Sequence, residues 1–455
     1  MKNVFLYYPR IKGEADSSSL YLGLPLSVLA LAAQFDQDRF EVRILDGRLS
    51  DGLSETWREL VDDETLCLGI SAITSYQIRD GLNLCRNVKE AFPELKVVWG
   101  GWHPSLMPVQ TLKHDLVDIV ITHQGEFTFP ALVSCLDEGR DLESIPNLVY
   151  KDSDRNVIST ASKPFVNLAD TLPIERAYHL VNMNKYIQPL WGNKRVAGYE
   201  SSRGCPYACK FCSISSVYRR KWNALPPERV ADGVEWLYRN YQVDAIHFYD
   251  NNFFVDSRRS MEFGSELVKR GIDIKWDGTA VAEQFLRFSD EYIEKLKRSG
   301  FYRVIVGAES GDEDVLRKIN KRHNNEQIVQ TVKKCVHHGL QASLSFMVGF
   351  PWEPEKDFHE TVKLIETLKR IDSSVEILLF IFSPYLGTPL YDIALEYGTI
   401  YPECLEEWAD FTYERVNTPW ISDPLKRKIG RYLSFFGTKD LSETAAAFFK
   451  GGDGN

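Results

Sequence analysis

Arg195-Val-Ala-Gly-Tyr-Glu-Ser201-Ser-Arg203-Gly204-Cys205-Pro-Tyr-Ala-Cys209-Lys-Phe211-Cys212 is the stretch on which the reading of this chain turns. Its first part, Arg195–Ser201, has the pattern of a strand, and its second part sets three cysteines within eight residues. A thiolate is a soft ligand that holds iron, and three of them leave one iron of a four-iron cluster without a protein ligand. At that open corner a small molecule can coordinate the metal and receive an electron. Two plainer readings compete: ordinary buried thiols, or part of a zinc site. A structural zinc wants four ligands; no further cysteine or histidine stands close by, although a distant one could fold in.

Downstream, short apolar runs alternate with amphipathic stretches. Strands are predicted at Arg195–Ser201, Ala245–Tyr249, Ile272–Gly278, Arg303–Val306, Ser343–Val348 and Val375–Phe382. Val230, Val234, Leu237 and Tyr241 form one helical stripe behind Pro226-Pro227. Six β/α units make three-quarters of an eight-unit barrel, a fold whose chemistry collects where the strands end. Those ends read Tyr249-Asp250-Asn251-Asn252-Phe253, Trp276-Asp277-Gly278-Thr279, Val306-Gly307-Ala308-Glu309-Ser310-Gly311 and Met347-Val348-Gly349-Phe350-Pro351.

The cysteine spacing, the Arg203-Gly204 lead-in, Phe211 and the Gly307-Ala-Glu309-Ser310-Gly311 run together resemble the radical S-adenosylmethionine (SAM) superfamily. The resemblance implies a partial (β/α)6 TIM barrel and a 4Fe-4S cluster on Cys205, Cys209 and Cys212. It also implies SAM contacts at Phe211, Asp250, Asn251, Thr279, Glu309, Ser310 and Gly349. From the residues alone, Asp250 accepts from an ammonium or makes an Asx turn. Glu309 faces the ligand or pairs with Arg303 or Lys318.

The first third of the chain alternates in the same way. Apolar runs at Val4–Tyr8, Glu41–Leu45, Leu66–Ser71, Lys96–Trp99 and Asp118–Thr122 are separated by helix patterns at Pro25–Phe35, Leu53–Val61, Gln77–Phe92 and Ser105–Leu112, and Glu126–Leu136 follows. Near-continuous apolar strands imply a parallel sheet covered on both faces, here a Rossmann-like, doubly wound α/β domain. Ligands of such sheets bind at the carboxyl ends of the strands, where strand order reverses. Paired glycines there permit close backbone approach, and hydroxyls can bond a nucleotide tail.

Those ends hold Ser71 to Thr74, Gly100-Gly101-Trp102-His103 and Gln124-Gly125-Glu126, ahead of the cysteine motif. With Leu22-Gly23-Leu24-Pro25-Leu26 before the first helix, they resemble the flavodoxin-type cobalamin-binding domain of one branch of that superfamily. The resemblance implies cobalamin contacts at Ser71, Thr74, Gly100, Gly101, His103, Gly125 and Glu126. Cobalamin domains of the methionine-synthase type carry Asp-x-His-x-x-Gly after the first strand. Here Arg10 to Leu22 contains no histidine, and the first in the chain is His103. Any cobalt would therefore be held without that imidazole. His103 itself either approaches the corrin or bonds its own neighbourhood. A Rossmann-like domain without a cofactor is the plain alternative.

The expected organisation is a cobalamin-binding domain over 1–137, a linker with a small hairpin over 138–194, a radical SAM partial barrel over 195–396, and a helical cap with a frayed tail over 397–455. The linker is broken by Pro146, Pro164, Pro173 and Pro189, with the hairpin near Tyr150–Val157. The cap, with Trp408, Phe411, Trp420, Tyr432 and Phe435, is expected to close the barrel, and Lys450–Asn455 to fray.

A chain of 455 residues is too long for one ordinary core. Its net charge of −10 offers no basic footprint for nucleic acid. No apolar run approaches the ~18 residues that cross a bilayer, and no signal-peptide pattern opens the chain. Eight cysteines are then expected as thiols or ligands in a reducing cytoplasm, with Cys67, Cys85 and Cys135 in the core.

The function implied by the resemblance is reductive cleavage of SAM with methylcobalamin as second cofactor, methylating an unactivated carbon of a biosynthetic intermediate. Radical chemistry wants a closed, apolar cavity. The substrate is accordingly expected to be a small, largely apolar molecule, and the electron donor a flavodoxin or ferredoxin. Cobalamin-dependent oxidative cyclisation without methyl transfer, and a non-catalytic cobalamin or iron-sulfur sensor, stay open. A methylthio-transferring relative would want a second cysteine trio and a basic RNA module, which the sequence does not offer.

Overall fold

A computed structural model describes residues 1–11, 22–49, 56–163, 165–411 and 418–436. The expected frayed tail 450–455, the side chain of Phe435 and most of the loop after the first strand lie outside the described residues. The chain divides into two compact units: Met1–Gly192 with Tyr401–Arg415, and Asn193–Ile400 with Val416–Asn455.

In the first unit the strands are β1 (Lys2–Tyr8), β2 (Phe40–Asp46), β3 (Thr65–Ser71), β4 (Lys96–Gly100), β5 (Ile119–Ile121), β6 (Leu148–Lys151) and β7 (Val157–Ser159). They lie in the order β2-β1-β3-β4-β5-β6-β7, parallel through β5 and antiparallel beyond it. Val4 to Tyr7 are buried without interruption, as a strand covered on both faces requires. The helix Gln77–Ala91 buries Ile78, Leu82, Cys85 and Val88, the stripe expected from spacing. Strand order reverses between β1 and β3, which makes the carboxyl ends of these strands the ligand edge.

Three local expectations change. The hairpin expected in a linker is β6–β7, and it extends this sheet through β5. The single helix expected over Ser105–Leu112 is two pieces, Trp102–Leu106 and Pro108–Lys113, because Pro108 has no N–H to continue the first. Of the Leu53–Val61 helix, the described part is one 3₁₀ turn, Thr56–Glu59.

The first unit is completed from the far end of the chain. Trp408 is fully buried, donates through Nε1 to Gln110 Oε1 at 2.7 Å, and packs against the His103 ring at 5.5 Å. Arg79 pairs with Asp410 at 2.7 Å and His114 with Glu406 at 2.9 Å. This part of the expected barrel cap thus belongs with the first unit.

The second unit is built on β8 (Asn193–Tyr199), β9 (Ala245–Phe248), β10 (Lys275–Ala280), β11 (Phe301–Glu309), β12 (Gln341–Val348) and β13 (Glu376–Ile381). Each strand is parallel to the next in chain order, and among the described residues β13 does not close on β8. This is the partial barrel expected from six β/α units. Trp276 meets Phe248, Phe263 and Phe301 at 6.3, 5.3 and 4.8 Å between ring centroids, so an aromatic core fixes β9, β10 and β11 to the helix Ser257–Lys269.

A buried ionic chain running from the end of β9 to the amino-terminal halves of β10, β11 and β13 ties the sheet. Asp277 pairs with His247 at 2.8 Å and Arg303 at 2.9 Å and accepts from Phe248 N–H at 3.0 Å, and Arg303 also pairs with Glu376. Such charges are tolerable in the interior only when fully bonded, as here.

Gly101 follows β4 at φ +101° and ψ −164°, a region open to glycine alone. A Cβ there would lie 2.6 Å from Ala72 O, the carbonyl that accepts from His103 N–H. Gly101→Ala should cost about 1–3 kcal/mol or more, read as a lowered melting temperature. An unchanged melting temperature would refute this backbone reading.

Candidate active site

The cysteine loop leaves β8 through Ser202–Gly204, which pairs antiparallel with Trp222–Ala224. Gly204 has φ +82°, and a Cβ there would sit 2.1 Å from Lys221 O, so glycine is obligatory at this turn. Asp250, 2% exposed, brackets the approach. Its carboxylate accepts from Ser201 N–H at 2.7 Å, Ser201 Oγ–H at 2.6 Å and Ser202 Oγ–H at 2.5 Å. Arg259 donates to Ser201 O at 2.9 Å, and Asn251 Oδ1 accepts from Gly204 N–H at 2.9 Å.

Further along, Lys210 N–H donates to Ile319 O at 2.9 Å and Asn320 Nδ2–H to Ala208 O at 2.8 Å. Phe211 packs against the cluster that contains Leu316, Ile319, Phe350 and Phe382. Protein groups thus hold the loop along its length.

The three cysteines of this loop are free and half-buried. Burial pushes each thiol up, Cys212 to about 11. The Lys321 ammonium pulls Cys205 and Cys209 back. Asn252 is 1% exposed and also lowers Cys205, yet neither of its amide atoms completes a hydrogen bond to protein nitrogen or oxygen. A buried amide whose one neighbouring partner is a thiol suits a site that receives a further group.

Among the described residues, Asp290, His337 and His338 are the one group with three ligand atoms within 4.8 Å of one another. The thiols stand too far apart for one zinc held at ~2.3 Å by each sulfur, whereas a cluster spreads its ligands over several irons. The Asp290 group offers little: His338 is already engaged by Asp290 at 3.0 Å and Glu294 at 2.9 Å.

Beside the thiols, β11 ends in Glu309 at φ +68°, a left-handed backbone that costs a non-glycine residue about 1–3 kcal/mol. Such strain persists only where neighbours over-determine it. Lys321 Nζ donates to Glu309 Oε1 at 2.7 Å, His323 Nε2 bonds Ala308 O at 3.0 Å, and Asn325 Nδ2–H donates to Gly311 O at 2.6 Å. Alternate side chains of the strap Lys321–Asn325 thus grip Ala308 to Gly311.

A capping box between Asn324 and Gln327 fixes the far end of the strap at the helix Asn325–His338. Burial works against the Lys321 charge, but Glu309, Cys209 and Cys212 outweigh it and hold its pKa above the ordinary range. The pairings considered from sequence are absent: Arg303 bonds Asp277 and Glu376, and Lys318 lies 4.9 Å over the Trp352 ring.

The remaining predicted contacts divide. Thr279 is half-buried on β10. Ser310 Oγ–H donates to Asp357 at 2.5 Å and is fully buried. Gly349 donates its N–H to Asp357 at 3.0 Å and accepts from Trp420 Nε1–H at 2.9 Å.

In the first unit Ser71 bonds Ser27 at 2.9 Å at the open edge, beside Gly100. Ile73 and Phe127 stand 43% and 48% exposed past the ends of β3 and β5, so apolar surface is available at the ligand edge. His103 is fully buried, bonded to Thr74 at 3.0 Å, and driven by burial to a pKa of about 3. It is therefore a neutral imidazole that bonds Thr74 through Nδ1 and packs against Trp408, with its buried Nε2 left without a hydrogen-bond partner among the described residues. Gly125 lies against Leu31, and Glu126 is buried.

Both units have counterparts among known protein families. Residues 199–365 match the Radical SAM superfamily and residues 17–133 match the B12 binding domain. The chain carries a radical SAM domain and a B12-binding domain. It is similar to an uncharacterised methyltransferase of Pyrococcus horikoshii, 29% identical over 91% of this chain and 88% of that one. It also resembles the anaerobic magnesium-protoporphyrin IX monomethyl ester cyclase of Synechocystis, 25% identical over 82% of this chain and 73% of that one. In fold it matches the radical SAM methyltransferase TsrM of Kitasatospora setae at a TM-score of 0.68 and 16% identity, over 88% of this chain and 78% of that one.

Of the residues that build these sites, sequence reasoning missed Lys321, His323, Asn325 and Asp357, and it named Trp408 only as part of a barrel cap. A signal existed for one of them: Asp357 opens the buried stripe Asp357, Thr361, Leu364, Leu368, where an apolar residue would be expected. Lys321→Met leaves Glu309 buried without its cation and should cost about 3–5 kcal/mol, measured by urea unfolding. In metal-free protein it should also slow alkylation of Cys209, whose thiolate loses a stabilising charge. Unchanged stability and alkylation would remove Lys321 from the site.

Proposed function

We propose that this radical SAM enzyme methylates an unactivated carbon of a small biosynthetic intermediate, with cobalamin as second cofactor. The observation that carries the reading is the pairing in one chain of a B12-binding domain and a radical SAM domain, in a sequence that a methyltransferase relative matches over 91% of its length. Cys205, Cys209 and Cys212 would hold the 4Fe-4S cluster. The ends of β10, β11 and β12, with Phe211, Asn251, Thr279, Glu309 and Gly349, would receive SAM. Asp250 and Ser310 would act behind them by holding backbone. Ser71, Thr74, Gly100, Gly101, Gly125 and Glu126 would frame cobalamin, with His103 as packing beneath them.

Bound there, the reduced cluster supplies the electron that cleaves SAM, and methylcobalamin the methyl group. The protein's share is to place these groups, neutralise charge and exclude water. Lys321 offsets the negative charge of the thiolates and of Glu309 in a buried setting. The substrate we favour is small and largely apolar, and the electron donor a flavodoxin or ferredoxin. Free thiols throughout the described chain favour a reducing cytoplasm. Among the described residues no helix is long and apolar enough to cross a membrane.

A second reading, oxidative ring closure without methyl transfer, is favoured by the likeness to the Synechocystis cyclase. SAM labelled on its methyl group separates the two: label in the product supports methylation, and unlabelled cyclised product supports the alternative. A non-catalytic sensor would release no 5′-deoxyadenosine when the reconstituted protein is given SAM and reductant.

Cys209→Ala should abolish 5′-deoxyadenosine release and lower iron content while keeping the corrin absorbance of bound cobalamin. Undiminished release would overturn the cluster assignment, and joint loss of iron and corrin would overturn the independence of the two sites.

A further inference from the structure

One carboxylate joins two strand ends assigned to SAM. Asp357 lies in the first turn of the helix Pro354–Ile371 and is fully buried. Its Oδ1 accepts from Ser310 Oγ–H at 2.5 Å, just past the end of β11. Its Oδ2 accepts from Gly349 N–H at 3.0 Å, just past the end of β12, and the Phe350 N–H also bonds it. One turn along the same helix, Thr361 Oγ1 accepts from Gly311 N–H at 2.8 Å.

The cation next to Asp357 in sequence does not neutralise it, because Lys356 bonds Asp312 and Asp314 at 3.0 Å. Burial pushes the Asp357 carboxyl up to about 7, with the Ser310, Gly349 and Phe350 bonds pulling it back and Asp312 adding to the rise. A buried carboxylate without a cation is costly. An apolar residue at this place would simply continue the stripe of Leu364, Ile365 and Leu368. A first-turn acid gains from the helix dipole, but an exposed one would gain as much without the cost of burial; this one is buried, and its bonds connect two loops that no strand pairing connects beyond Glu309 and Val348.

We infer that Asp357 is a positioning residue for SAM, bridging Ser310 and Gly349 so that the ends of β11 and β12 act as one rigid edge. The inference deepens the radical SAM assignment and rests on it. The amide of Asp357→Asn can keep the bridge, since its oxygen accepts from Gly349 N–H and its NH₂ can donate to Ser310 Oγ. Asp357→Ala removes both arms, and Ser310→Ala removes one.

The test compares wild type and these three variants as cluster-reconstituted enzyme. Two quantities are read: SAM affinity by equilibrium dialysis, and amide hydrogen exchange without SAM. Asp357→Ala should weaken SAM binding about tenfold or more, as loss of a buried bond of this kind implies. It should also speed exchange at Gly311, Gly349 and Phe350 together, with iron content unchanged. Asp357→Asn should restore both properties.

A merely structural acid would speed exchange across the whole barrel and leave SAM affinity of the folded fraction unchanged, which would overturn the bridge. So would equal damage from the Ala and Asn variants. If Asp357→Ala does not fold, Ser310→Ala decides: faster exchange at Gly349 as well as at 308–311 supports the coupling, and a change confined to 308–311 refutes it. Wild type that binds no SAM would sink the radical SAM assignment, whereas wild-type binding with unaltered variants would sink the bridge alone.

Discussion

The second unit depends on one buried ion pair. Lys321 and Glu309 meet at 2.7 Å beside three thiols, and each exists in that place because the other does. Glu309 sits in a backbone conformation that a non-glycine residue adopts only under constraint. Lys321 is an ammonium in a setting that would otherwise discharge it. The thiols press in the same direction, since every thiolate made available to iron strengthens the case for a fixed cation nearby. Ligand chemistry and backbone strain are therefore coupled through a single contact.

Around that contact the design is one of many weak bonds to one short loop. Ala308, Glu309, Ser310 and Gly311 are each held, by His323, Lys321, Asp357, and Thr361 with Asn325. No single bond is worth more than a few kcal/mol, yet together they leave the loop one arrangement. The cysteine loop is treated alike by Asp250, Asn251, Ile319 and Asn320. Pre-organisation of this sort keeps the cost of ordering out of ligand binding.

How much of this could be read from the chain follows from where the partners lie. Thiols on one short loop are neighbours in sequence, so Cys205, Cys209 and Cys212 stand out as a candidate ligand set at once. Parallel strands buried on both faces advertise themselves as apolar runs, and both sheets were foreseen with ends shifted by a few residues. Lys321 and Asp357 were not, because their partners lie 12 and 47 positions away and no local pattern names them. Asp250 shows the complementary failure. Its position at a strand end pointed to a ligand, but Ser201 and Ser202, 49 and 48 positions before it, take up its oxygens. His103 was similarly ambiguous until Trp408, remote in sequence, covered it.

That covering segment has a consequence for how the molecule comes into being. Tyr401–Arg415 joins a unit whose other residues end at Gly192, so the whole of the β8–β13 sheet is synthesised between the two parts. A nascent chain with all of β1 to β7 in hand still exposes the His103 ring and the Gln110 amide until Trp408 emerges. The amino-terminal unit is thus begun first and sealed late. Its final seal reports that the intervening polypeptide has been made, which links the maturation of one cofactor domain to translation of the other.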